Sequence, residues 1–293
     1  MAVWRFDAIG TRWEIVSDEQ LDADNRAAVS AAVEGFDRTW SRFRADSDVH
    51  RLSVSAGSLE SPDAGPMLDT YRELSDATGG AVNPLVGNSL SALGYDPGYS
   101  LVAGEPLAAP VDWARRLQWS PGRATLADPS QIDVGALGKG RLVDLVFDVL
   151  AAVDGDLVVD AGGDLRVRGG SIRVGLEHPY DAAKAIGVVT LQDAALCASA
   201  VNRRAWGSGL HHVLDARTGE PVRTWAATWA IASDAMSADA AATALFFDGG
   251  ARLAASWGVE WVRMATDGRV ERSPGCPAEL FTSGARLRPA TSK

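Results

Sequence analysis

Apolar and polar positions alternate at 10–17 (Gly-Thr-Arg-Trp-Glu-Ile-Val-Ser), and a period of two recurs at 156–161, 171–176, 186–192, 225–232 and 259–265, predicting strands. A period near 3.6 over 21–40, 64–78, 138–153 and 237–247 predicts helices. In the first of these, Ala28, Val29, Ala32, Val33 and Phe36 fall on one stripe, the core-facing side of an amphipathic helix. Asp154-Gly155 and Gly169-Gly170 read as turns, the second closing a hairpin between its flanking strands. Pro, Gly and Asp crowd 94–130, which reads as mostly loop with short strands around 115–126. No internal repeat and no flexible linker divides the chain. Strands and helices interleave without a βαβ rhythm, so the expected fold is mixed α/β (α+β) in a single domain over 1–293, not a doubly wound sheet.

Composition narrows the class. With 293 residues, 46% hydrophobic and 23% charged, the chain is long enough and apolar enough to bury a core without staples. A formal charge of −10 argues against an electrostatic grip on nucleic acid or anionic lipid. Two cysteines, Cys197 and Cys276, are too few for a disulfide framework and read as buried thiols. The first residues carry no signal-peptide apolar core, and charges interrupt every apolar run before membrane-spanning length, so a cytoplasmic protein is expected. Three lysines stand against 25 arginines. Where arginine is used almost everywhere, a lysine between glycines (Lys139) marks a place for a compact point charge.

Four segments carry candidate chemistry. In Ile132-Asp133-Val134-Gly135-Ala136-Leu137-Gly138-Lys139-Gly140, a glycine-rich turn opens a helix whose free N–H groups suit an anion, and Lys139 adds charge. The spacing is not that of a Walker A loop, and the alternative is a plain strand-to-helix turn. Gly162-Gly163 in Val158 to Leu165, flanked by Asp160 and Asp164, marks either close backbone approach to a ligand or a bulge between strands. Adjacent His211 and His212 face opposite ways on a strand, so one at most enters a given site, and the spacing is poor for chelating zinc. Asp239 and Thr243 lie one helical turn apart on a face otherwise made of Ala and Leu. They form a hard-oxygen pair suited to Mg²⁺, unless Ser237 or Asp239 merely caps the helix.

Taken in order, these segments resemble the ApbE-type FAD:protein FMN transferase family. Ala8-Ile9-Gly10-Thr11 is similar to the family's opening Met-Gly-Thr strand, and Phe36 to Ser53 to its "fSrf…Sel.rl" segment. Gly80 to Gly87 (Gly-Ala-Val-Asn-Pro-Leu-Val-Gly) resembles its "GaFDpTvGp" loop. Asp133 to Gly140, Gly162-Gly163-Asp164, Arg173 to Pro179, His211 to Gly219 and Ala238 to Thr243 follow in family order. Ile9 replaces the usual Met, Asn83 replaces Asp, Ala198 and Ala200 flank Ser199 where Thr-Ser-Gly is common, and Asp215-Ala216 replaces Asp-Pro.

The resemblance implies two related halves enclosing a flavin-nucleotide site, a T-fold-like arrangement. It implies cofactor contacts from Ile9, Phe43, Ala81, Val82, Asn83, Asp133, Lys139, Ser199, His212 and Val213. It implies Mg²⁺ held by Asp239, Thr243 and the carbonyls of Ala136 and Ala242. The implied activity is transfer of FMN from FAD to a Ser or Thr hydroxyl of a client protein, releasing AMP, with Lys139 adding charge and Asp239 or His212 as base. Two rivals share the site: a Mg²⁺-dependent FAD pyrophosphatase giving FMN and AMP, and a non-catalytic FAD-binding protein. No nucleic acid and no membrane enters any of these readings.

Overall fold

A computed structural model describes residues 1–281. Its centre is an eight-stranded sheet in the spatial order Ala2–Ala8, Thr11–Ser17, Leu157–Asp160, Asp164–Arg168, Ala195–Ala200, Trp225–Ala232, Glu260–Ala265 and Val270–Arg272. Every neighbouring pair is antiparallel, which excludes the doubly wound alternative. The first four strands bracket two helices, Ala23–Trp40 and Gly138–Val149. The last four bracket Ala235–Ala244 and Gly250–Ser256. The chain therefore repeats one plan, two strands, two helices, two strands, with no sequence repeat to announce it. The long insertions that build the candidate site leave from different places in the two halves: residues 41–137 between the first pair of helices, and 201–224 between strands Ala195–Ala200 and Trp225–Ala232.

The alternation in 11–17 survives in the fold, with Trp13, Ile15 and Ser17 buried and the residues between them half-exposed. One face of the sheet is covered by helices. The other is covered by the hairpin Ile172–His178 and Asp181–Leu191, which joins Leu176, Val189 and Leu191 to Leu165, Leu196, Trp229 and Met264. Trp225–Ala232 lies between these layers and is buried at six successive positions, Trp225 to Ala230. Strands Asp164–Arg168 and Ala195–Ala200 escape a periodicity reading because they are short or alanine-rich; pairing on both sides makes them strands. Gly169-Gly170 closes no hairpin, because the strands on either side of it belong to different sheets. The helix predicted to 153 ends at Val149, and Ala151 and Val153 donate to Asp148 and Leu150 in following turns. The loop 94–130 contains strands Leu117–Ser120 and Arg123–Leu126, completed by Gly57–Glu60.

Helix Ala235–Ala244 has apolar residues on all sides because it is buried on all sides. Its cap is Asp234, whose carboxylate accepts from the Ser237 N–H at 2.8 Å, so neither Ser237 nor Asp239 is the capping residue. It meets helix Gly138–Val149 at Gly140, where a Cβ would lie 2.2 Å from the Ala235 carbonyl oxygen. Reciprocal bonds lock the crossing. Asp144 of one helix accepts from the Ala235 and Met236 N–H groups at 2.9 Å each, and Asp239 of the other accepts from the Gly140 N–H at 2.9 Å. Carboxylates at helix N-termini satisfy donors that have no intrahelical partner.

Candidate active site

The crossing of these two helices forms the floor of a cavity of about 840 Å³. Of the residues expected at a site, Ile9, Phe43, Ala81, Val82, Asn83, Asp133, Ala136, Lys139, Ser199, His212, Val213, Asp239 and Thr243 line it. Ala242 does not; it is buried, and its carbonyl accepts the Thr228 hydroxyl at 2.6 Å.

The floor is a cluster of charge. Lys139 Nζ lies 2.6 Å from Asp164 Oδ2, so its ammonium is paired with a fully buried carboxylate rather than left free at the turn. Asp164 also accepts from the Ala198 N–H at 3.2 Å through Oδ1. Asp239 is 3% exposed and forms no ion pair of its own among the described residues. Burial first, and then the Asp164 charge, push its carboxyl well above the usual carboxylate range, against the opposing pull of Lys139. The cysteine below, Cys197, is buried, donates to the Ala235 carbonyl, and has its thiol pushed well up by burial.

Among the described residues no group of three or more His, Cys, Asp or Glu side chains is arranged to hold a metal ion. Asp239, Thr243 and Ala136, whose carboxylate, hydroxyl and carbonyl are oxygen donors, all line the cavity. One carboxylate with neutral oxygens suits a hard cation such as Mg²⁺, which keeps part of its water shell. The burial of Asp239 without a cationic partner among the described residues is the observation that fits a cation here, since a bound cation would offset the cost of ionising a buried carboxyl.

The loop leading to this floor is held by groups the sequence reading did not single out. Asp133 Oδ2 lies 2.6 Å from Nε of Arg42, which is 3% exposed, and Asp133 Oδ1 accepts from the Gly135 N–H at 2.8 Å. The Tyr71 hydroxyl donates to the Asp133 carbonyl at 2.9 Å and accepts from the Ala136 N–H at 3.3 Å, fixing the backbone that carries Ala136. Asn83 holds the adjacent wall, donating to the Pro110 carbonyl and accepting from the Leu85 N–H, both at 2.9 Å. Nothing in a one-dimensional pattern pairs Arg42 with Asp133, 91 residues apart.

A second part of the wall is aromatic. Phe43 and Tyr99 stack with centroids 5.0 Å apart, Tyr95 and Trp206 with centroids 5.4 Å apart, and the Arg42 guanidinium lies 4.2 Å from the Phe43 centroid. Such a surface favours planar rings. Ile9 reaches the cavity from a two-residue hairpin turn in which both Ile9 and Gly10 have positive φ, 44° and 73°. Gly162 is required by the neighbouring turn: its φ is 69°, and a Cβ there would meet the Thr11 hydroxyl at 2.2 Å. Of the two histidines, His211 turns away and its Nε2 meets the Val222 carbonyl at 2.9 Å, while His212 faces the cavity. Burial, and then the charge of Arg204, push the His212 imidazole down to about 3, so it is neutral at physiological pH.

A model of the ApbE family matches residues 9–262. The chain belongs to the ApbE family. The matched range includes Ile9 through Thr243 and so contains every candidate site residue. Among curated proteins, the chain is 28% identical over 305 residues to the FAD:protein FMN transferase of Rhodobacter capsulatus, covering 94% of this chain and 57% of that one. It is 31% identical over 180 residues to the FAD:protein FMN transferase of Treponema pallidum, covering 54% of this chain and 50% of that one. It thus spans about half the length of the curated relatives it matches. The fold is similar to that of the ApbE protein of Thermotoga maritima, with a TM-score of 0.80, 21% identity and coverage of 93% and 97% of the two chains. It is also similar to the apo flavinyl transferase ApbE of Pseudomonas stutzeri, with a TM-score of 0.73, 22% identity and coverage of 93% and 95%.

Proposed function

We propose that this ApbE-family chain transfers FMN from FAD to a Ser or Thr hydroxyl of a client protein, releasing AMP, in a Mg²⁺-dependent reaction. One observation carries the reading: segments far apart in the chain, from Ile9 to Thr243, line a single cavity that is charged at its floor and aromatic on its wall. That polarity matches a dinucleotide with a planar flavin and an anionic pyrophosphate. The curated relatives' names support the same reaction class.

The residues divide the work. Phe43, Val82 and Val213 give the flavin an apolar bed, and Asn83 and Asp133 keep the bed's loops in place. Asp239, Thr243 and the Ala136 carbonyl would hold Mg²⁺, which when bound withdraws charge from the anhydride oxygens. Lys139 contributes a fixed positive charge at the same floor. The client hydroxyl oxygen forms a bond to the FMN-side phosphorus as the bond from that phosphorus to the AMP oxygen breaks, leaving AMP and a phosphoester-linked FMN. We assign the hydroxyl proton to His212, which borders the cavity, because Asp239 already accepts from Gly140 and serves the cation.

The test measures two products together, AMP by chromatography and client-bound FMN by intact mass, with FAD, Mg²⁺ and a Ser/Thr-bearing client. Equal yields of both, lost together in Asp239→Ala, are expected. AMP release that never modifies a client would replace transfer with hydrolysis, and tight flavin binding without AMP release would remove catalysis altogether.

A further inference from the structure

Two buried carboxylates, Asp164 and Asp239, compete for one lysine at the cavity floor. Lys139 Nζ lies 2.6 Å from Asp164 Oδ2, while its chain neighbour Gly140 donates its N–H to Asp239 Oδ2 at 2.9 Å. Lys139 therefore stands beside both acids, and its four-carbon stem can carry the ammonium to either. Asp164 is fully buried at the start of a strand, set by the tight turn 161–163 and anchored by the Ala198 N–H, so it is a fixed partner. With Lys139 on Asp164, that pair is internally neutralised and Asp239 is left without a cationic partner among the described residues.

We propose that Asp164 is a positioning residue that keeps Lys139 off Asp239 and so reserves Asp239 for the divalent cation. The inference rests on the Mg²⁺ reading above. Without the Asp164 charge, Lys139 turns to Asp239, the cluster becomes neutral, and the cation loses its carboxylate. Removing the lysine as well frees Asp239 again.

The experiment measures Mn²⁺ binding to the full chain, by electron paramagnetic resonance of free Mn²⁺, with a thermal melt of every variant. Asp164→Asn should weaken binding by roughly tenfold to a hundredfold, below the limit for a contact pair at an effective dielectric of about 20. The double variant Asp164→Asn with Lys139→Met should recover to near the wild-type affinity. A merely structural Asp164 would lower the melt in both variants and bring no recovery. An Asp164→Asn protein that binds Mn²⁺ like wild type, or a double variant as weak as the single one, would overturn the inference. Asp239→Ala separates the two levels. If wild type shows no Mn²⁺ binding that Asp239→Ala removes, the Mg²⁺ reading itself falls. If Asp239→Ala abolishes binding and Asp164→Asn leaves it unchanged, only the positioning role falls.

Discussion

Gly140→Ala tests whether the two helices must touch for the floor to exist. The backbone at Gly140 is helical and not left-handed, so alanine by itself would favour the helix by up to about 1 kcal/mol. The added Cβ, however, would lie 2.2 Å from the Ala235 carbonyl oxygen and 2.7 Å from Asp239 Cβ. The carbonyl cannot swing aside, because Asp144 holds the Ala235 and Met236 N–H groups of the same turn. Relief requires the helices to part by about 1 Å, an overpacking cost of roughly 1–3 kcal/mol. That separation also stretches the charge-assisted bond from Gly140 to Asp239, worth about 1.5–3 kcal/mol. The net expectation is a loss of about 2–4 kcal/mol, or roughly 5–15 °C in the melting temperature of a chain this size. Gly35→Ala is the control: it also sits in a helix, and its Cβ would meet nothing within 4 Å. That variant should gain about 0.5–1 kcal/mol. Thermal unfolding of both proteins side by side is the assay. If Gly140→Ala melts at or above the wild-type temperature, the close crossing is not what holds the floor, and the argument fails.

Two further outcomes follow from the wall of the cavity. The His212 imidazole is depressed in the folded chain, so its contribution to stability is complete above the usual histidine value and is lost as pH falls from there toward about 3; His212→Gln should flatten the melting profile across that window, and an unchanged profile would show that His212 protonates freely in the fold. Ile9, a β-branched residue at φ 44°, should yield about 1 kcal/mol of stability on replacement by Asn, which tolerates this conformation; a lower melting temperature would mean that Ile9's apolar contacts outweigh its backbone strain.

The sequence by itself determined the local elements and the inventory of chemistry. A period of two placed Trp13 and Ile15 inward, and a period near 3.6 located helices 23–40 and 64–77 within two residues, because burial on one face leaves a local periodic trace. The family resemblance carried by the segments from Ile9 to Thr243 implied site residues that, Ala242 excepted, line the cavity, since each segment is contiguous and its order is read directly from the chain. What the tertiary structure alone decided is who faces whom. Lys139 is read from sequence as a free charge for a phosphate, yet it lies on Asp164; Asp239 is read as a helix cap or a ligand, yet it also accepts from Gly140, 99 residues away. Tyr71 is read as an ordinary member of a helical segment and Arg42 carries no signal at all, yet they hold the Asp133 loop. The doubled plan of strands and helices likewise leaves no repeat in the sequence, because many different apolar side chains satisfy the same layer. Burial face is a property of neighbours along the chain and can be read from them. The partner of a buried charge depends on distances of a few ångströms between remote segments, and those exist only once the sheet has brought the segments together.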